Sequence, residues 1–473
     1  MYLNFLTRNI LVMLNKISYW LLTIILILPT GSCRKFVEVD PPVNELVRPS
    51  VFKDNSTANA AQLVIYTQMT QALSYTYLSL VPGILSDELV DFTRENAKIE
   101  LYTNGVLRNN STVAETWATF YKLIYEANAM IEGLNSSTEI TNEVKKQITG
   151  EALFIRSFLY FYLVNFFDDI PYIDRTEYVG NAVLGRTNTN VIYDNIVKDL
   201  ISAKDLLNEK YVNGDGTTVT EERLRPNKAV VTAFLARVYL YLKKYDEAIK
   251  LSSDVLANSN YVLEPSFDNV FLKNSKEAIW QLSCGNFFNT FEGFIYVLYS
   301  YPGFASMNRR LVNAFSSNDL RRLNWIGVFT EGVDTFYYPY KYKIQYSETV
   351  SEYVMVLRLS EQYLIRSEAK ANLNDVEGAL SDLNIIRNRA GLGDTLITLK
   401  DQILNAILEE RRKELFTEWG HRWLDLKRTG KLDEVMPKVT SEKGGSWQSF
   451  KALMPIPQDE IMKNRNLTQN DGY

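Results

Sequence analysis

The sequence predicts a mostly α-helical protein, with tetratricopeptide-like helix pairs stacked as an α-α superhelix and an irregular, loop-rich half holding few short strands. Three observations carry this prediction. Apolar residues recur at steps of three and four along most of the chain, and two segments share one helix-pair design. Between those segments the pattern breaks into a run of aromatic residues that follows neither helical nor strand period.

The chain opens with an address. Residues 17–28 (ISYWLLTIILIL) form an uncharged apolar run of twelve behind Arg8 and Lys16. A membrane-crossing helix needs about 20 apolar residues, so this run suits the apolar core of a secretory signal. Small residues then lead to Cys33, as in a bacterial lipoprotein signal whose cysteine is acylated and becomes the first mature residue, although Thr30 stands where leucine is usual. Residues 1–32 are then the signal, with Met13 a second candidate start. Residues 33–50, with Pro41, Pro42 and Pro49, read as an extended tether.

The body divides into an N-terminal helical region, 51–225, and a C-terminal region, 226–473, with an aromatic-rich insertion at about 260–350. Residues 112–134 place Trp117, Tyr121, Ile124, Asn128 and Ile131 on one helical stripe. Residues 149–166 (TGEALFIRSFLYFYLVNF) are apolar nearly all round, which predicts burial on several sides. Pro171 stops that helix, because the residue before a proline is pushed to an extended conformation. Residues 226–256 read as a helix pair: Ala236 and Ala248 let two backbones approach, and Tyr239 and Tyr245 fill the space beside them. Residues 356–390 repeat the design with Glu368, Ala369, Ala379, Leu380 and Leu383. Ala248 and Ala379 are 131 residues apart, so the repeats are not a tandem array. In the insertion, eight aromatics crowd between Phe287 and Phe304. No single buried face can take them all, so some are expected at the surface, whereas Trp117 and Trp280 sit in apolar patterns that read as core.

Charge excludes some functions. Lys and Arg total 51 against 56 Asp and Glu, a net −5 with no basic block, so no electrostatic footprint for nucleic acid exists. Two cysteines, Cys33 and Cys284, and one histidine leave no disulfide framework and no zinc spacing. The segment NGDGTT at 213–218 is too short for a calcium loop and reads as a turn. No metal and no cofactor is expected.

The densest charge, Glu409–Gly430 (EERRKELFTEWGHRWLDLKRTG), surrounds the lone His421 and reads as one scaffold helix. Glu410, Glu414 and Glu418 follow one another a turn apart, and Arg411, Arg422 and Arg428 can grip such carboxylates bidentately. Leu415, Phe416, Trp423 and Leu426 give it an apolar stripe, and no nucleophile motif accompanies the histidine. A rival catalytic reading falls on Asp87, Glu88 and Asp91, because a glycosidase needs two carboxylates about 5–10 Å apart. Their other readings are helix-cap or solvated carboxylates, or polar ligand contacts.

Several motifs together resemble the SusD/RagB family of outer-membrane nutrient-binding lipoproteins. Glu410, Arg411, Arg412, Glu414, Leu415, Glu418, Gly420, Arg422, Trp423, Asp425, Leu426 and Arg428–Gly430 resemble its signature, and the ending LMPIPQDEIMKNRNLTQNDGY is similar to the family ending, departing from it at Arg465 and Asp471. EALFIRSFLYFYLVNFFDDIPYI resembles the family's buried helix, with Asp168 replacing a customary glycine; Asp319, Arg321, Lys341 and Tyr342 also fit. The resemblance implies a non-enzymatic protein, lipid-anchored through Cys33 at the outer membrane and exposed at the cell surface. It would cap a SusC/RagA-like TonB-dependent transporter and capture an oligosaccharide or, in some lineages, a peptide. A surface glycoside hydrolase is the rival of another class.

Sugar rings present apolar C–H faces that stack on aromatic planes, while their hydroxyls take carboxylate, amide and guanidinium partners. The expected ligand site therefore joins Asp87, Asp91, Phe92, Arg94 and Asn96 of one loop with Phe287, Phe288, Phe291, Phe304 and Trp325. Phe-rich loops would also suit peptide side chains.

Overall fold

Helices make up most of the regular structure among the described residues, and several start where the sequence supplies caps. The computed structural model describes residues 48–285 and 289–473, so the signal, Cys33, Phe287 and Phe288 lie outside the described residues. Asp54 caps α1 (Asn55–Ala72) by accepting from the Thr57 N–H at 2.8 Å. A π-helical stretch, Leu73–Leu80, continues into α2 (Val81–Leu85), followed by β1 (Leu89–Asp91) and α3 (Asn96–Tyr102). Next come the long pair α4 (Ser111–Ser136) and α5 (Asn142–Phe167), and α6 (Thr189–Leu206), which packs on α5.

Every residue of α5 from Gly150 to Phe167 is buried, so its all-round apolar surface is enclosed as its composition requires. It ends at Asp168 with φ 63° and ψ −127°, a strained conformation for a residue with a Cβ. The strain falls where the resembling family carries glycine. At the other end of the pair, Ser137 Oγ donates to the Phe52 carbonyl at 2.8 Å, tying the start of the body to the C-terminus of α4. Asn110, the N-cap of α4, donates instead to Ala97 in α3. A 26-residue helix is about 39 Å long, so α3 and Phe52 lie at opposite ends of α4.

The two repeats are α7 (Lys228–Tyr241) with α8 (Tyr245–Leu256), and α9 (Leu359–Asn372) with α10 (Val376–Arg389). Though far apart in sequence they stack in space, because α8 packs on α9. Ala236, Ala248, Ala369 and Ala379 are fully buried, giving the close backbone approach their size predicts. The chain between holds β2 (Ala278–Leu282), β3 (Ala305–Met307), β4 (Ile326–Glu331), β5 (Asp334–Pro339) and β6 (Val354–Arg358). They pair antiparallel as β1–β3, β2–β6 and β4–β5. The sequence starts the second repeat at residue 356, but Val354–Arg358 is a fully buried strand and the helix begins at Leu359. A short buried run of Val, Met and Leu suits either element by periodicity alone. There follow α11 (Lys400–Glu414), α12 (His421–Arg428), α13 (Leu432–Glu442) and a short last helix, Gln458–Lys463.

Candidate ligand-binding site

The charged segment around His421 is two helices, not one. The chain leaves α11 at Glu414, turns through Thr417, Trp419 and Gly420 at positive φ, and re-enters helix at His421. A Cβ on Gly420 would sit 3.1 Å from Pro82 on α2, so glycine is required for that approach as well as for its φ of 72°. Within the segment only Glu409 pairs with its arginines, Arg412 at 3.3 Å and Arg422 at 3.7 Å, whereas Glu410, Glu414 and Glu418 find their arginines elsewhere among the described residues. Glu414 meets Arg358 at 2.6 Å, Arg321 at 2.9 Å, and Arg389. Glu410 meets Arg321 at 2.7 Å, and Glu418 meets Arg358 at 2.8 Å and Lys341 at 2.5 Å. The segment's own arginines reach Asp425, Glu368 and Asp87.

Burial alone would raise the Glu414 pKa, but the guanidinium groups of Arg389, Arg358 and Arg321 hold it well below the usual range. His421 is 5% exposed, its Nδ1 3.4 Å from Arg411. Burial and the charges of Arg237 and Arg411 depress its pKa well below 6.5, so it is a neutral imidazole in the fold. An unfolded histidine takes up the proton that the folded one refuses, so this group costs stability as the pH falls through about 6.5. His421→Gln is expected to flatten the decline in urea midpoint between about pH 7 and 5. An unchanged slope would place the acid sensitivity elsewhere.

Two predicted ligand contacts belong to the frame instead. Asp87 is 2% exposed, and its oxygens accept from Arg422 at 2.8 and 3.0 Å and from Arg412 at 2.7 Å. Burial pushes its carboxyl up, but Arg422 and Arg412 overcome this and hold it far below the carboxylate range. It ties its loop to α11 and α12 and has no free oxygen to offer a ligand. Trp325 is fully buried, donating from Nε1 to the Phe267 carbonyl at 3.1 Å and packing edge-on to Phe267 and Phe271. Its indole serves a second core with Tyr342 and Phe416, because the short helix ending at Trp325 turns inward into β4. Glu88 is also buried; desolvation, with the Asp87 charge adding to it, raises its carboxyl to about 8.

The other predicted residues divide. Asp91 is half-buried and accepts from the Thr93 N–H and hydroxyl; Arg94 and Asn96 beyond it are exposed. Phe291 starts a short helix and is half-buried. Phe92 and Phe304 are brought together: the Phe92 N–H donates to the Phe304 carbonyl at 2.8 Å. The Phe92 ring then meets two partners outside the predicted set, Tyr301 at 6.2 Å and Phe336 at 5.7 Å, which are themselves 4.7 Å apart. Their interplanar angles of 74°, 84° and 68° make an edge-to-face triad. Tyr301 is 48% and Phe304 39% exposed.

The triad borders a cleft of about 420 Å³ whose lining includes Val90, Phe92, Ser306, Arg309, Asp334 and Phe336. Three segments distant in sequence build it, since β3 pairs with β1 and packs on β5. The signal for Phe336 is the run TFYY, rich in β-forming residues, after the Gly332–Val333 turn, which marks a half-exposed hairpin strand. A larger cleft of about 640 Å³ beside α12 holds the pairs Arg428–Glu368 and Lys431–Glu434, while Lys243 and Asp401 line it without an ion pair among the described residues. The smaller cleft is the one that the ring triad borders, and that makes it the candidate site.

What fold and site define together is a helical-repeat protein that carries an aromatic-walled cleft on irregular loops. Two family models match the chain: one described as "Starch-binding associating with outer membrane" over residues 36–240, and one described as "SusD family" over 321–473. The chain belongs to the SusD family. It is 26% identical to SusD-like protein P2 of Formosa agariphila, covering 96% of this chain and all of that one. Its fold is similar to a SusD superfamily protein from Bacteroides vulgatus, at 21% identity and a TM-score of 0.78 over 89% of this chain and 100% of that chain. It is also similar to surface glycan-binding protein A from Bacteroides thetaiotaomicron in complex with laminarihexaose, at 22% identity and a TM-score of 0.73 over 87% and 98%. Among the described residues no helix is long and apolar enough to cross a membrane.

Proposed function

We propose that this protein captures an oligosaccharide at Phe92, Tyr301 and Phe336 and delivers it, chemically unchanged, to a SusC/RagA-like TonB-dependent transporter of the outer membrane. A lipid on Cys33 holds it at the cell surface. The observation that carries this reading is the ring triad: three aromatic side chains from separate segments, gathered beside an open cleft. Buried aromatics need no such gathering at a surface, and sugar rings are the ligands whose C–H faces match it. The laminarihexaose bound by the similar surface glycan-binding protein A supports the same ligand class. The commitment of Asp87 to two arginines argues against its use as a general acid or base.

The test is calorimetric titration of the mature chain, carrying Cys33→Ser, against glycan and peptide libraries. A glycan is expected to bind and be recovered intact, and Phe336→Ala should weaken binding about tenfold, from the loss of one stacked ring. Heat from peptides alone, or glycan binding indifferent to Phe336, contradicts the reading. Turnover of the bound glycan contradicts the absence of catalysis.

A further inference from the structure

The aromatic cleft carries a charge pattern that stacking alone leaves unused. Arginine in this body is usually committed: Arg310 is bridged to Glu442 at 2.5 Å, and Arg322 donates to the carbonyls of Val312 and Phe315. Arg309, just before Arg310 in the same segment, lines the cleft with its guanidinium 5.8 Å over the Tyr337 ring. It has no carboxylate or carbonyl partner among the described residues. Arg94, two residues past Phe92, is exposed and equally without an ion pair among them, at a left-handed φ of 60°. One uncommitted guanidinium, that of Arg309 after β3, thus lines the cleft, and the exposed Arg94 follows Phe92 in the chain after β1.

The acidic groups nearby form no ion pair with either arginine among the described residues. Asp91 is held by Thr93, and Glu95 lies 3.9 Å from Lys98. Asp334 lines the cleft but is exposed at the hairpin turn, where it stands opposite Glu331 across β4 and β5. A guanidinium presents a planar fork that matches a carboxylate or sulfate in two parallel hydrogen bonds. Resting over an aromatic face fixes the plane of that fork.

We propose that this cleft selects anionic oligosaccharides, bearing uronate carboxylates or sulfate esters, with Arg309 gripping the charged group while Phe92, Tyr301 and Phe336 stack on the sugar rings. The inference rests on the capture reading above and names the ligand class of the same site. Asp334, on the facing strand, opposes the anion and keeps it near Arg309.

The experiment titrates the mature protein with three hexasaccharides of equal length: a neutral glucan, a uronate oligomer and a sulfated galactan. At least one anionic oligomer is expected to bind roughly tenfold more tightly than the neutral one, with an affinity that falls as salt is raised. The two anionic arms separate carboxylate from sulfate. Arg309→Gln should weaken the anionic ligand about tenfold more than the neutral one, and Asp334→Asn should strengthen the anionic ligand alone. Neutral binding equal to or tighter than anionic binding overturns the inference and leaves the capture reading standing, as does an equal loss on both ligands in Arg309→Gln. Failure of all three to bind strikes the capture reading itself, and the inference falls with it.

Discussion

Arg358→Ala is expected to cost about 3–5 kcal/mol of stability, read as a large drop in urea midpoint. Arg358 is 1% exposed and sits at the junction of β6 and α9. Its guanidinium reaches Glu277 at 2.9 Å, Glu414 at 2.6 Å and Glu418 at 2.8 Å, and also donates to the Glu414 carbonyl at 2.6 Å. Deleting it leaves three buried carboxylates short of a counter-charge, and the cost comes from those abandoned partners more than from the lost pairs. Arg358→Lys should rescue little, because one ammonium cannot serve several acceptors in a plane. The network also sets the acid limit. Glu414 and Asp425 are held below their usual values, so their stabilisation is full above the unfolded carboxylate range and is lost progressively as the pH falls from that range down through their depressed folded values. Near-native stability in Arg358→Ala would mean that the charges decorate the fold without bracing it.

Trp325→Ala is expected to cost a similar amount, about 3–5 kcal/mol, through the cavity left in the second core. The indole is enclosed by Phe267 and Phe271, with the Lys341 ammonium 4.9 Å above its ring. Its removal empties a space among rigid aromatic neighbours and leaves the Phe267 carbonyl without its donor. Glycan affinity of the folded fraction should be unchanged, because the side chain has no exposed surface. Thermal melts paired with titration separate the outcomes: lost affinity at retained stability would return Trp325 to the ligand surface.

Much of this architecture is legible in the chain because helices announce themselves over many residues. The stripe on α4, the enclosed α5 and the alanines of both repeats each follow from one periodic surface. The loop-rich half is harder, for reasons that specific residues make plain. Trp325 and Phe336 both lie in apolar surroundings in sequence. Only the turn of the chain after a short helix sends one inward, and only the pairing of β4 with β5 holds the other beside Phe92. Asp87 reads as a site carboxylate in sequence because its partners, Arg412 and Arg422, come from the far end of the chain. The glutamates around His421 are scaffold, as their spacing suggests. Their partners Arg321, Arg358, Arg389 and Lys341 nevertheless lie outside the segment, beyond the reach of any local spacing rule.

Hydrogen–deuterium exchange with and without a bound hexasaccharide tests the division of labour most directly. Protection is expected at residues 89–94, 299–307 and 333–338, with none gained across 409–430. New protection confined to 409–430, with the ring segments exchanging as in the free protein, would contradict it.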